Sequence, residues 1–311
     1  MPDLTVAVVI ACYNQAHFLA DALASVVDQS LPADEIVLID DGSQDETPHV
    51  AANFPTIRYI RQDNQGLSAA RNTGLNAVTS QFVLFLDADD MLARHALAAA
   101  LAAMRAAPDH AFVYGGYRQV AEDRAVIAVH HPKTPDPAFD GLLRLGNHIA
   151  MHGTVLYDRI TLIESGGFDP TLRSCEDYDV YLRLARHHPI AAYDTIAADY
   201  RRHGTSMSRN ALRMAGTARD VLMRHAHSRT ERRISRHGIA VMLGYYGEGY
   251  WASLLHDARG GQARRVLADL RELLTTQHLR WPITMVAVPF LFRHIRHEIS
   301  RRLRVRPPRR R

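Results

Sequence analysis

The stretch that decides the fold is Phe82-Val83-Leu84-Phe85-Leu86-Asp87-Ala88-Asp89-Asp90, in which five apolar residues are followed by three acids. A short apolar run of this kind is typical of a buried strand. Three carboxylates held this close repel one another unless a cation neutralises them, and oxygen ligands suit Mg²⁺ or Mn²⁺. The stretch therefore predicts a metal–diphosphate site at a strand end. The alternative is an acidic loop that caps a helix starting at Met91-Leu92.

Strand-like and helix-like segments alternate around this stretch. This rhythm predicts an α/β fold in which helices cover both faces of a mostly parallel sheet. The strand-like segments are 4–11, 35–40, 57–61 and 82–86, and the helix-like segments are 16–29, 44–53, 67–77 and 93–107.

The second half of the chain is less regular. The three prolines between 132 and 146 predict a mobile loop or a connection, and residues 149–157 and 166–186 resume ordered structure. Residues 211–278 are rich in Ala, Leu and Arg and predict helices throughout.

Composition limits the class of protein. With 311 residues, 47% of them hydrophobic and 23% charged, the chain suits one large globular domain, or one domain with a helical appendage. Its two cysteines, Cys12 and Cys175, form no disulfide framework and fit a reducing cytoplasm. We recognise no signal peptide and no apolar stretch of 18 residues, so we expect a cytoplasmic protein that is soluble or peripheral to a membrane.

The positive charge is concentrated at the end of the chain. Residues 293–311 hold nine Arg and one Glu, and without them the net charge changes from +4 to −4. We therefore expect no nucleic-acid partner for the core. The mostly apolar segment 281–292 precedes this tail, and together they resemble an interfacial membrane anchor. The alternative is a last core helix followed by a basic tail.

Polar residues follow three of the predicted strands: Cys12-Tyr13-Asn14, Asp40-Asp41-Gly42-Ser43 and the acidic group at 87–90. In open α/β sheets, ligands bind outside the carboxyl ends of the strands. The three strand ends therefore predict one shared ligand site.

The order and spacing of these motifs resemble those of family 2 glycosyltransferases, which have the GT-A fold. The resemblance covers roughly residues 4–210 and implies a catalytic domain over 1–210, a helical extension over 211–292 and a basic tail over 293–311. The segments that carry it are 8–14, 39–43 with Asp45 and Thr47, 64–74, 87–90, 166–169 and 176–179.

The resemblance implies inverting transfer of a sugar from a nucleotide-diphosphate-sugar donor, preferably a UDP-sugar, to an acceptor hydroxyl. The acceptor would be a glycan or a lipid-linked molecule in polysaccharide or lipopolysaccharide synthesis, and the cofactor Mn²⁺ or Mg²⁺. Two alternatives stay open: a sugar nucleotidyltransferase, and a non-catalytic module that binds nucleotide-sugar or glycan.

The resemblance also assigns the nucleotide side of the site. Tyr13 would stack on or flank the base, with Asn14 beside it, and Asp41 would accept a hydrogen bond from a ring N–H. Taken singly, Tyr13 fits a core edge and Asp41 an Asx-turn. Arg71 would pair with the diphosphate or with Asp41.

The acids and one histidine complete the implied site. Asp87 would contact ribose or sugar, Asp89 would be the direct metal ligand with Asp90 as the alternative, and His203 would add a ligand or contact phosphate. Asp177 would be the general base, because inverting transfer needs a carboxylate that removes the acceptor proton.

Glu176 would be structural or contact the acceptor, and the mutual repulsion of these two neighbouring acids would raise the pKa of one of them toward the working range. The two acids also fit a second role, as caps of the helix that follows them.

Overall fold

The computed structural model of the chain describes residues 4–133, 138–204, 210–259 and 262–275. Parallel strands form one half of its sheet, in the order β3-β2-β1-β4, as the alternating pattern predicts. These strands are β1 (Val6–Cys12), β2 (Glu35–Asp40), β3 (Arg58–Arg61) and β4 (Phe82–Asp87), and the helices between them are α1 (Ala16–Val27), α2 (Thr47–Ala52) and α3 (Leu67–Ala77).

The other half of the sheet is mixed. Strand β8 runs antiparallel between β4 and β6, while β9 is parallel to β6 and carries β5 on its other edge. The strands are β5 (Met91–Leu92), β6 (Phe112–Ala121), β7 (Val126–His130), β8 (Val155–Asp158) and β9 (Ile190–Arg202). The helices are α4 (Ala96–Ala106), α5 (Ala138–Leu145), α6 (Arg159–Glu164) and α7 (Glu176–Ala185), with a 3₁₀ turn at His152–Thr154.

Three helices close the described part of the chain: α8 (Ala211–His225), α9 (Arg229–Arg259) and α10 (Ala263–Thr275). The helical prediction for this region is confirmed up to residue 275. The predictions for 281–292 and 293–311 lie outside the described residues. Among the helices that are described, none is long and apolar enough to cross a bilayer.

Two apolar clusters lie on opposite faces of the sheet. Alternate residues of a strand enter different clusters: Val9 and Phe85 pack with α3 and α7, while Val8 and Leu84 pack with α1 and α4. The central strands are therefore buried on both faces, which is why they read as continuous apolar runs.

Two sequence predictions need correction. Met91-Leu92 does not begin a helix, because it pairs with β9 as strand β5, and α4 starts only at Ala96. The region from 132 to 146 is not a simple loop, because it contains α5, whose fully buried Leu142 and Leu143 belong to the core. Residues 134–137 lie outside the described residues.

Candidate active site

The loops after β1 and β2 are joined to each other. The Asn14 backbone N–H donates to Ser43 Oγ at 2.9 Å, and the Gln44 N–H donates to Asn14 Oδ1 at 2.7 Å. Asn14 has a left-handed φ of 53°, which asparagine tolerates better than most residues. These bonds hold the backbone next to Tyr13. The Tyr13 side chain itself is 47% exposed, at the end of β1.

Asp40 stabilises the turn that follows β2. Its Oδ1 accepts from the Ser43 N–H at 2.7 Å, and its Oδ2 accepts from the Tyr59 hydroxyl at 2.5 Å and from Arg61 Nη1 at 3.0 Å. All three partners belong to the turn or to the neighbouring strand β3, so Asp40 supports the turn.

Asp41 points instead toward the loop before α3. Its Oδ1 accepts from Gln62 Nε2 at 2.7 Å and from the Gln65 N–H at 3.0 Å, and its Oδ2 accepts from the Gly66 N–H at 2.8 Å. A glycine suits this position because its φ is 91°. These bonds reach residues more than twenty positions away, so Asp41 does not form an Asx-turn.

Arg71 lies almost completely buried below the site and pairs with two carboxylates, neither of them Asp41. Its Nη2 donates to Asp87 Oδ1 at 2.6 Å and its Nη1 donates to Glu176 Oε1 at 2.7 Å. The proposed pairing of Arg71 with Asp41 is therefore not formed, because the amide donors around Asp41 already hold that carboxylate. Arg71 instead connects the end of β4 to the start of α7.

The acids after β4 face different ways. Asp89 is partly exposed, and its Oδ2 lies 2.8 Å from His203 Nε2. Asp90 is 2% exposed and accepts from the Arg201 N–H at 2.8 Å. Burial, helped by the charges of Asp89 and Asp87, raises the pKa of Asp90 well above its ordinary value. Asp90 is thus less suited than Asp89 to bind a cation at the edge.

A divalent cation at this edge would meet two side-chain donors, the carboxylate of Asp89 and the imidazole of His203, which contact each other. The described residues contain no group of three or more His, Cys, Asp or Glu side chains that could hold a metal ion. The carboxylate of Asp89 nevertheless suits an ion such as Mg²⁺, which keeps waters and takes its other ligands from substrate phosphates, whereas an imidazole suits transition metals better than Mg²⁺.

Asp177 lies in the first turn of α7. This helix begins directly after Cys175, whose backbone has a left-handed conformation. Its Oδ1 accepts from the Tyr178 N–H at 2.7 Å, and its Oδ2 accepts from Asn147 Nδ2 at 3.3 Å. Burial raises the pKa of Asp177 to about 7, with a further contribution from the charge of Glu176. A carboxylate with this pKa is an effective proton acceptor near neutral pH.

The helix-cap interpretation of the two acids is compatible with this arrangement. Both Glu176 and Asp177 belong to the first turn of α7, where the helix dipole favours negative charge. Glu176 is buried and pairs with Arg71, which fits the structural role expected for it.

Two nearby ionisable residues belong to the core. His152 is buried, with its Nε2 2.9 Å from the Tyr157 hydroxyl, and burial lowers its pKa well below the ordinary value. Burial likewise raises the pKa of the Cys175 thiol, so the cysteine stays protonated.

Sequence reasoning missed Asn147. It follows Gly146, which has a φ of 73° and lies so close to α9 that an added Cβ would stand 2.4 Å from Met242 Cγ. A Gly-Asn pair is a turn signal, and it was available in the sequence. What the sequence does not reveal is that α9 packs against this turn and that Asn147 lies beside Asp177.

Comparison with known proteins supports the family resemblance. The family model for glycosyl transferase family 2 matches residues 7–166, just over half of the chain. The chondroitin synthase of Escherichia coli is 26% identical over 207 residues, which are 65% of this chain and 30% of that protein. The chain spans about a third or less of the length of the first curated relatives it matches.

Two solved structures share the fold. S. aureus TarS 1-349 in complex with UDP-GlcNAc superimposes with a TM-score of 0.60 at 16% identity, over 85% of this chain and 89% of that one. The mannosyltransferase PcManGT from Pyrobaculum calidifontis, in complex with GDP-Man and Mn2+, gives 0.59 at 21% identity, over 92% and 86%. The expected family, α/β fold and enzyme class are confirmed, and the chain belongs to glycosyl transferase family 2.

Proposed function

We propose that the chain transfers a sugar, with inversion, from a nucleotide-diphosphate-sugar to an acceptor hydroxyl, and that Asp177 is the general base. The observation that carries this proposal is the contact of one buried cation, Arg71, with both Asp87 and Glu176. Through Arg71, the acids at the end of β4 and the helix turn that holds Asp177 form one connected unit.

The nucleotide would lie against the joined loops after β1 and β2. Tyr13 offers an exposed ring to the base, beside Asn14. Asp41 accepts three hydrogen bonds from protein groups, whereas a carboxylate has about four acceptor sites. Its Oδ2 therefore keeps capacity for one ring N–H, a group that uracil, thymine and guanine all provide. A UDP-sugar is our preferred donor.

Asp89 and His203 would hold the divalent cation, Mn²⁺ or Mg²⁺. When bound, the cation stabilises the negative charge that develops on the departing diphosphate. Asp87, partly exposed beyond its bond to Arg71, would contact the ribose or the sugar.

The transfer step uses Asp177. As the acceptor oxygen attacks the anomeric carbon, the acceptor proton passes to Asp177, and the bond from that carbon to the diphosphate oxygen breaks. Its electron pair leaves with the diphosphate. Tyr178 and Asn147 donate to the two oxygens of Asp177 and so hold the carboxylate during proton transfer.

The test is calorimetric titration of the folded chain with UDP, GDP and dTDP, each with Mn²⁺ and with EDTA. We expect one nucleotide to bind, and binding to be lost in EDTA and in Asp89→Asn. The exposed Asp109 gives a matched control, and Asp109→Asn should bind normally. Failure of folded protein to bind any of the three nucleotides would contradict the proposal.

The domain organisation, the membrane contact and the acceptor are proposed from the sequence. We propose that residues 1–210 are the catalytic domain, that 211–292 are a helical extension, and that the 293–311 tail contacts the cytoplasmic face of a membrane. The acceptor would then be a glycan or a lipid-linked molecule, and no nucleic acid would be bound. The small apolar cluster that α8, α9 and α10 share supports a helical unit after residue 210.

A further inference from the structure

The helix that carries Asp177 is contacted by the elbow between α8 and α9, which we define as residues 224–231. His225 is the last residue of α8 and is buried, and its Nε2 lies 2.8 Å from Asp179 Oδ1. Asp179 is also buried and belongs to the first turn of α7. The elbow therefore contacts the same helical turn that holds the proposed general base.

Two arginines surround Asp179 as well. Its Oδ2 accepts from Arg183 Nε at 2.8 Å, and Arg224 Nη1 lies 3.5 Å from its Oδ1 while donating to Asp169 Oδ2 at 2.7 Å. Burial raises the pKa of Asp179, but the hydrogen bond from His225 and the charge of Arg183 outweigh it, so the pKa lies below its ordinary value. Asp179 is thus an ionised acid that three side chains hold in place.

A second contact joins the elbow to the other end of α7. Arg186, which follows the last residue of α7, donates from Nη1 to Glu231 Oε1 at 2.9 Å and from Nη2 to the His225 carbonyl. Glu231 Oε2 accepts from the Ser228 N–H at 2.8 Å, and the Glu231 N–H donates to Ser228 Oγ at 3.1 Å. This reciprocal pair is a capping box, which stabilises the start of α9. The carboxylate of Glu231 therefore connects the start of α9 to the end of α7.

Asp177 lies in the sequence between two buried acids that both have fixed partners. Arg71 holds Glu176, and His225 holds Asp179. All three acids belong to the first turn of α7, so the anchors of the outer two also determine where the middle one lies. Such placement matters for catalysis, because a displacement of about 1 Å can lower a rate on the order of 10²-fold.

We propose that His225 is a positioning residue for the transfer reaction, which anchors the first turn of α7 and so places the Asp177 carboxylate for proton transfer. This inference rests on the proposed function, because His225 acts through the proposed base and not through contact with substrate. It gives the helical extension a part in catalysis, through the last residue of α8.

The alternative is that the elbow only stabilises the fold. The two roles predict different patterns, because the nucleotide would bind to the loops after β1 and β2, whereas the elbow contacts α7. A positioning role lowers kcat and leaves nucleotide affinity unchanged. A purely structural role lowers the melting temperature and leaves kcat unchanged in protein that is folded.

The test measures turnover and nucleotide affinity separately in the full chain with Mn²⁺. The donor is the nucleotide-sugar whose nucleotide binds in the calorimetric titration, the acceptors are methyl β-glycosides of glucose, galactose and N-acetylglucosamine, and nucleotide release is measured. For His225→Leu we expect kcat to fall about tenfold or more, with nucleotide affinity within about twofold of wild type. His225→Gln keeps a side-chain N–H donor for Asp179 and should recover most of the lost kcat.

Glu35→Ala is the control for a loss of stability alone. Glu35 accepts hydrogen bonds from Thr79 and Ser80 at the start of β2, at the opposite end of that strand from the site. This variant should lower the melting temperature without lowering kcat. Arg186→Met is a second test of the elbow, because it removes the contact with Glu231 and should also lower kcat at unchanged nucleotide affinity.

A measurement without a donor sugar tests the same link. Burial raises the pKa of Asp177 to about 7, so Asp177→Asn should raise the melting temperature at pH 8. If His225 keeps that carboxylate buried, His225→Leu admits water to it. The gain from Asp177→Asn at pH 8 should then shrink by about half or more in the His225→Leu background, since residues that act together are not additive.

The outcomes distinguish the two proposals. A His225→Leu variant that keeps the wild-type kcat, or that loses kcat and nucleotide affinity in the same proportion, overturns the positioning role alone. An equal gain from Asp177→Asn in both backgrounds does the same, and this measurement decides if wild type binds a nucleotide but transfers to none of the glycosides. If His225→Leu does not fold, Arg186→Met replaces it in both measurements. A folded wild type that binds no nucleotide overturns the proposed function, and the positioning role with it.

Discussion

Arg71 on α3 and Glu176 at the start of α7 are 105 residues apart in the chain and form a buried ion pair, with 2.7 Å between Nη1 and Oε1. The same guanidinium holds Asp87. A single arginine therefore connects the strand end that would receive the donor with the helix that carries Asp177, the proposed general base. Removing it should affect both folding and catalysis.

The first prediction concerns stability. Arg71→Met leaves two carboxylates close together without their cation, and breaking a buried pair of this kind typically costs about 3–5 kcal/mol. We expect a loss near the lower end, about 3 kcal/mol, because water reaches part of Asp87. Urea unfolding followed by circular dichroism measures it.

The control is Arg118→Met, which breaks the half-exposed pair with Asp199. Such surface pairs contribute about 0–1 kcal/mol. Equal losses in the Arg71 and Arg118 variants would contradict the structural role assigned to Arg71.

The second prediction concerns the pH dependence of activity. Asp177 acts as a base only when ionised, and its pKa is about 7. We therefore expect kcat/KM to rise with pH and to level off above about pH 7. The ionisable groups around the carboxylate are Arg71, Tyr157, Cys175, Glu176, Tyr178, Tyr181 and Tyr246. A profile that stays flat from pH 5 to pH 8, measured by nucleotide release, would rule out this assignment.

The third prediction links the same pKa to stability. Folding raises the pKa of Asp177 from 3.8 to about 7, so ionisation of this carboxyl lowers the free energy of unfolding. This loss of stability is absent below about pH 4, grows between pH 4 and pH 7, and is complete above pH 7. Asn at this position cannot ionise. We expect Asp177→Asn to gain melting temperature relative to wild type at pH 8 and much less at pH 5. An equal difference at both pH values would argue against the raised pKa.

The fourth prediction concerns Asn147, whose amide donates to Asp177 and favours its ionised form. Asn147→Ala should move the acidic limb of the kcat/KM profile to higher pH by roughly half a unit to one unit. Asn53→Ala, which removes an exposed amide bonded to a backbone carbonyl, is the control. A loss of activity without a shift of the pH profile would mean that Asn147 supports only the loop.

Local patterns in the sequence predict much of this fold. The apolar run at 82–86, the alternation before it and the helical composition after residue 211 each correspond to elements in the structure. These signals depend on the hydrophobicity and periodicity of residues that lie close together in the chain, so they can be read without knowing the long-range contacts. The polar strand ends also meet at one edge, as the parallel topology requires.

The partners of individual side chains could not be predicted in this way. The sequence leaves Asp90 open as the alternative to Asp89, but pairing of β5 with β9 buries Asp90 against the Arg201 backbone. Arg71 was assigned to the diphosphate or Asp41, whereas its partners are Asp87 and Glu176. Both outcomes depend on contacts between residues far apart in the chain, which no local pattern encodes.

The most direct test of the proposed mechanism compares wild type with Asp177→Asn, using the nucleotide-sugar whose nucleotide binds in the calorimetric titration. We predict that the variant binds the nucleotide with an affinity within about twofold of wild type, while its sugar transfer to a glycoside acceptor falls at least about 10²-fold, the usual contribution of a general base. An Asp177→Asn enzyme that transfers sugar at close to the wild-type rate would contradict the account.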